Sequence, residues 1–151
     1  MRLREFIAAH RGEDSSNVLY AHCMLVRAML ALGHIDDALE HARPALEMCR
    51  RYRLAEIEEL AALLALRDAR PRAAAMLFGY ALRVQEELHV RAADSDRGEC
   101  ATLEPRLREA LGDPLYERLV VEGRQMADAQ ADRLLFTRTD AGAEPGTDVV
   151  R

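Results

Sequence analysis

Apolar positions recur along this chain at three- and four-residue intervals, the spacing that lines one face of a helix rather than one side of a strand. Leu3, Phe6 and Ile7 share a side over Leu3 to Ala9, a short first helix. Ser15 and Ser16 can cap a second helix over about 17–32. Val18, Ala21, Leu25, Ala28, Met29 and Leu32 make one apolar row of it, and Leu19, Cys23, Val26 and Leu30 a second. A helix with two such rows is covered on both sides. Gly33 ends it, because glycine takes positive φ at little cost. A third helix over about 35–51 follows, with Ile35, Ala38, Leu39, Ala42, Ala45, Leu46 and Cys49 on one stripe. Asp36 and Asp37 in its first turn and Arg50 and Arg51 in its last suit the helix dipole. Pro44 lies inside it and predicts a kink.

The fourth helix is predicted over about 55–67, opening with Glu56, Glu58 and Glu59 and burying Ile57, Leu60, Ala61 and Leu64. After a tight turn at 68–70, Pro71 fits the first position of a fifth helix that runs to about His89. Its core face is Ala74, Leu77, Phe78, Ala81, Val84 and Leu88, and Gly79 between Phe78 and Tyr80 predicts a close helix-to-helix approach. A polar connection spans 90–97, where Asp96 and Glu99 have capping-box spacing. Cys100, Leu103, Leu107, Ala110 and Leu111 form the buried face of a sixth helix, which Pro105 predicts to bend or to start late. Gly112-Asp113-Pro114 is a stop-and-restart signal for a seventh helix over 114–122, closed by Gly123, and a last helix covers about 128–136. The glycine- and proline-bearing tail 137–151 is expected to be disordered.

Composition narrows this to an all-helical fold. Ala, Leu and Arg supply 26, 22 and 21 of the 151 residues, whereas Val, Ile and Thr together supply only 15, too few to fill the faces of a sheet. That length suits one domain, over 1–136, with 1–10 as a remnant or cap helix, 17–53 and 55–89 as two helix pairs and 96–136 as capping helices. Net charge is −5, which argues against a protein that grips the phosphates of nucleic acid directly. Apolar runs such as 18–31 are interrupted and too short to span a bilayer, and the first residues do not read as a secretory signal. Three widely spaced cysteines, Cys23, Cys49 and Cys100, give no disulfide framework, so a reducing cytoplasm is the expected location.

Superposing Ala38 and Ala45 on Ala74 and Ala81 gives a shift of 36 residues, within the range of helical-pair repeats that stack into a solenoid. The segment with Leu25, Met29, Gly33, Ala38 and Ala45 resembles a tetratricopeptide repeat, and Ala74, Phe78, Gly79 and Ala81 form a weaker second unit. Val26 departs from that family, which prefers a small residue there; Ala62 stands at the equivalent place in the second unit. The run 73–81, then 103–112, 119–124 and a closing short helix resemble the C-terminal end of large bacterial ATP-dependent transcription regulators of the LuxR-type and winged-helix predicted-ATPase groups. Ala127 departs from these, which tend to place Ser or Thr there. The chain has no phosphate-loop motif and no lysine. The resemblance therefore implies the distal sensor or capping part of such a regulator. It would contact a protein partner, further domains of the same regulator or a small-molecule inducer, with homo-oligomers an option. The apolar side of helix one suggests a missing preceding repeat. A free-standing tetratricopeptide-like adaptor or oligomerisation module is the alternative.

No residue set in the sequence points to catalysis, a cofactor or a metal. His34 and His41, seven apart, can share a face with Asp37, but solvated or packing histidines are the expectation. Cys49 has Arg50, Arg51 and Arg53 nearby but falls on the apolar stripe, which predicts an inert buried thiol. Glu56, Glu58, Glu59, Glu86 and Glu87 read as solvated helix-start or surface carboxylates. Arg50, Arg51, Arg53, Arg67, Arg70 and Arg72 gather at the ends of the helix pairs, where pairing with neighbouring glutamates is expected over a dedicated anion-attracting edge.

Overall fold

The computed structural model describes residues 2–11, 15–55, 57–90, 98–138 and 140. Among these there are eight α-helices and no strand: α1 Arg2–Ala9, α2 Ser16–Leu32, α3 Ile35–Tyr52, α4 Glu58–Arg67, α5 Pro71–Glu87, α6 Leu103–Leu111, α7 Asp113–Arg124 and α8 Asp128–Phe136, with a 3₁₀ turn Gly98–Thr102 before α6. The all-helical expectation holds. The two hairpins, α2 with α3 and α4 with α5, are each packed along their length, and α5 packs equally closely on α7.

Local chemistry sets most boundaries. The Ser15 hydroxyl accepts from the Val18 N–H to start α2, and Gly33 at φ 78° ends it. α3 runs unbroken through Pro44. The carbonyl that the proline leaves without its donor is that of Glu40, whose residue is exposed, so water can serve it. The predicted stripe of α3 is buried from Ala38 to Cys49, joined by Met48. On α2, Ala28 and Leu32 were expected inside but are exposed, Leu32 by 64%, because no described element lies over that side.

Further along, α4 begins at Glu58, later than expected, and is buried from Glu58 to Ala65. The early apolar face of α5 is buried, whereas Val84 and Leu88 are half-buried, and the helix ends at Glu87 rather than His89. Pro105 falls in the first turn of α6, where its missing N–H costs no intrahelical bond, which is the late start. Ala110 is exposed. The capping aspartate Asp96 lies outside the described residues, as do 91–97 as a whole. The apolar side of α1 is half-buried against the common core rather than open. Of the tail, Thr137, Arg138 and Asp140 are described and anchored: Arg138 pairs with Asp36 and Asp68, and Asp140 accepts from the Ala73 N–H at 2.9 Å. Residue 139 and residues 141–151 lie outside the described residues.

Gly123 corrects the sequence reading most clearly. It does not close α7 but sits inside it, buried, with its Cα against the Met76 carbonyl of α5. Gly79 of α5 meets the Val120 carbonyl of α7 in the same way. The close approach expected at Gly79 is thus a reciprocal glycine crossing, at which a Cβ on either helix would overlap the other backbone.

Candidate functional site

The described residues enclose a cleft where the C-terminal end of α3, the start of α4, the C-terminal half of α5 and the start of α8 converge. It has a volume of about 100 Å³, and its apolar wall is Leu54, Val84 and Leu88. Arg50, Arg53, Glu58, Tyr80, Arg83, Glu87 and Asp128 supply its polar groups.

Arg50 organises one side. Its Nη1 donates to Asp132 Oδ2 at 2.7 Å, and its Nε and Nη2 donate to the Tyr80 hydroxyl at 3.2 and 3.1 Å. The Tyr80 hydroxyl in turn donates to Asp128 Oδ1 at 2.7 Å. Burial works against the Arg50 charge, but the bonds to Asp132 and Tyr80 outweigh it and raise its pKa. Burial and the bond to Asp128 likewise raise that of the Tyr80 phenol. Arg50 therefore stays a cation and Tyr80 a neutral donor at ordinary pH. Arg83 closes the other side: its Nη1 donates to the carbonyls of Arg124 and Met126, at 3.2 and 2.9 Å, where α7 ends, and its Nε faces Glu87 at 3.6 Å.

Glu58 is the group that local sequence misplaces. Expected on a solvated helix start, it is 2% exposed and lines the cleft. Burial pushes its carboxyl up to about 7, against the opposing effect of backbone N–H bonds at Glu58 and Ile57 and the charge of Arg50. It is thereby the cleft carboxyl positioned to gain or lose a proton near neutrality. Glu59, also expected in solvent, is buried and accepts from Gln85 at 3.2 Å.

The repeat-signature residues build the scaffold and not the cleft. Leu25, Met29, Ala38, Ala45, Ala74, Phe78, Gly79 and Ala81 are all buried, and Gly33 makes the α2–α3 turn. Of the arginine cluster, Arg50 and Arg53 line the cleft; Arg67 pairs instead with Glu99, and Arg70 with Asp68. Pairing with carboxylates is thus the rule for Arg50, Arg67 and Arg70, although aspartates serve two of the three. Cys49 is buried as expected. His41 does not combine with His34, which is exposed; its Nδ1 lies 3.2 Å from that of His22. No group of three metal-ligating side chains occurs among the described residues. Local sequence does not reveal the contributions of Tyr80, Arg83, Asp128 and Asp132, because each depends on a helix distant in sequence. The one local signal was an acidic first turn in α8.

Compared with protein-family models, with curated proteins and with solved structures, the chain matches none. No helix among the described residues is long and apolar enough to cross a membrane.

Proposed function

We propose that the chain is a non-catalytic helical-repeat domain that binds a partner protein or a small inducer on behalf of an ATP-dependent bacterial transcription regulator, in the cytoplasm. The observation that carries the binding role is the cleft, at which both hairpins and α8 contribute charged side chains to one small cavity. A ligand seated there touches elements from both halves of the molecule and so favours one arrangement of them, the differential contact a sensor needs to bias a distant switch. Arg50 and Tyr80, each held in one protonation state, suit fixed recognition contacts. The link to transcription rests on the resemblance of 73–81, 103–112 and 119–124 to such regulators. The natural reading frame upstream of Met1 tests it: an in-frame nucleotide-binding module supports the reading, and a ribosome-binding site directly before Met1 opposes it.

One observation favours the adaptor or oligomerisation alternative. Tyr20, Met24, Ala28 and Leu32, four residues apart along α2, form an outward apolar stripe with Tyr20 63% and Leu32 64% exposed. Sedimentation of the wild type against Leu32→Glu tests its oligomerisation form: a dimer dispersed by the substitution supports that form, and a monomer throughout dismisses it.

A further inference from the structure

Among the described residues, the buried side-chain polar atoms that lack a hydrogen-bond partner are Glu58 Oε1, Arg83 Nε and Asp132 Oδ1. All three belong to the cleft or to the network on its edge. Buried polar atoms are normally paired, and leaving one unpaired costs on the order of 1–3 kcal/mol. Such atoms gathered around a cavity are what a bound molecule would satisfy. Charge sharpens the point. Arg50 is matched by Asp128 and Asp132, and Arg83 by Glu87. Glu58, deep in the cleft, has no ion-pair partner of its own among the described residues, and Arg53 at the rim is exposed. The unmatched groups are thus a carboxyl at the floor and a guanidinium at the mouth.

We propose that the cleft binds a small zwitterion, a primary ammonium joined to a carboxylate as in a free amino acid. Its ammonium would meet Glu58 and its carboxylate would face Arg53. An opening of about 100 Å³ encloses a head group of roughly four or five non-hydrogen atoms, with any remainder projecting from the mouth. Leu54, Val84 and Leu88 give the intervening methylenes an apolar wall. A neutral Glu58 must release its proton to pair with an ammonium, so binding below neutrality is accompanied by proton release. The charged and titratable groups that share the cleft with Glu58 are Arg50 at the end of α3, Arg53 just beyond it, Tyr80, Arg83 and Glu87 of α5 and Asp128 of α8, with Glu87 paired to Arg83. Of these Arg50 and Asp128 keep their mutual pairing and Tyr80 its proton.

This inference rests on reading the chain as an inducer-binding domain and is tested apart from it. The full chain is titrated calorimetrically at pH 6 and pH 8 with glycine, 3-aminopropanoate and 4-aminobutanoate, and with propylamine and propanoate as half-ligands. We expect at least one amino acid to bind at millimolar concentration or below, more tightly than either half-ligand. Glu58→Gln should weaken binding by about tenfold or more and Arg53→Gln by several-fold, with proton release at pH 6 absent from Glu58→Gln. Arg53 is exposed, so its variant keeps the test open should Glu58→Gln fold poorly. Failure of every amino acid to bind the wild type, affinity unchanged in folded Glu58→Gln or Arg53→Gln, or propanoate binding as well as the amino acids would each overturn the proposal. An in-frame nucleotide-binding module upstream would leave the regulator reading standing through any of these failures.

Discussion

Glu58 and His22 act on stability in opposite directions because both are buried and both are neutralised by burial. The Glu58 carboxyl moves from 4.5 to about 7, so over that interval the folded chain holds a proton that the unfolded chain has released. Stability therefore falls as pH rises through the window, by up to about 3 kcal/mol. His22 moves the other way, from 6.5 to about 4, through burial and then the neighbouring charge of His41. Its contribution is present above 6.5 and is lost as pH falls toward 4. Because the two windows overlap, the two effects nearly cancel between about pH 4.5 and 6.5, so urea unfolding across pH 4–8 should show a broad plateau with a small decline at each end. Glu58→Gln should abolish the alkaline decline and exceed the wild type by about 1–3 kcal/mol near pH 8, and His22→Asn should flatten the acid decline. An alkaline limb that survives in Glu58→Gln would assign it to another group. Ala69 is a separate residue-scale case: exposed in the α4–α5 turn, it is held at φ 60°, where an L side chain is strained. Ala69→Gly should stabilise the protein by roughly 0.5–1 kcal/mol in the same assay, the relief of strain exceeding the added chain entropy.

Helices were legible in this sequence wherever one helix carries the information, and illegible wherever two must meet. The α3 stripe, the Ser15 cap, the Gly33 terminator and the Pro71 start each depend on residues within a turn or two, and each is present as expected. Gly123 shows the limit. Its neighbours read as the end of a helix, and only the carbonyl of Met76, 47 positions earlier in the numbering, requires the missing side chain. Glu58 failed for the same reason: an acidic first turn belongs in solvent by local rules, and what encloses it comes from α3, α5 and α8. Even the stripe on α2 was half misread, since period alone does not say which side of a helix receives a neighbour. The glycine crossing gives this scale its prediction. Gly79→Ala and Gly123→Ala each drive a methyl into the facing backbone and should each cost more than 2 kcal/mol, beyond the few tenths that an exposed helical substitution changes. Because both open the same interface, the double variant should cost less than the sum of the two. Strict additivity in denaturant titrations would show that the two contacts are independent.

At the scale of the whole molecule, the two hairpins pack directly on one another, and α8 lies across both, held largely through arginines. It buries only Ala131 and Leu135 fully, too little apolar surface to hold nine residues in place unaided. Arg50 of α3 grips its first turns through Asp128 and Asp132, and the Arg43 guanidinium, also from α3, lies 3.9 Å over the Phe136 ring at its end. Arg70, from the α4–α5 turn and 4% exposed, donates to the terminal carbonyls of Leu134 and Leu135 at 2.9 and 3.1 Å while paired with Asp68. A cation at that end also meets the negative pole of the helix. The α5–α7 crossing, by contrast, brings backbone onto backbone at Gly79 and Gly123, and Arg83 and the Arg124–Glu86 pair only add to it at one end. Two tiers of stability follow, an inner one at α5 and α7 and an outer one at α8. Arg70→Gln keeps a polar donor but removes the charge and the fork, leaving the buried Leu135 carbonyl and the part-buried Leu134 carbonyl poorly served. It should cost about 2–4 kcal/mol. Hydrogen exchange read by mass spectrometry should show the loss concentrated in peptides spanning 128–136, with 71–87 and 113–124 still exchanging last. Equal loss of protection across all three segments would mean that α8 and the glycine crossing open as one unit. The cleft would then be no more mobile than the core beneath it, and a ligand bridging α8 to α5 would have no separate equilibrium to shift.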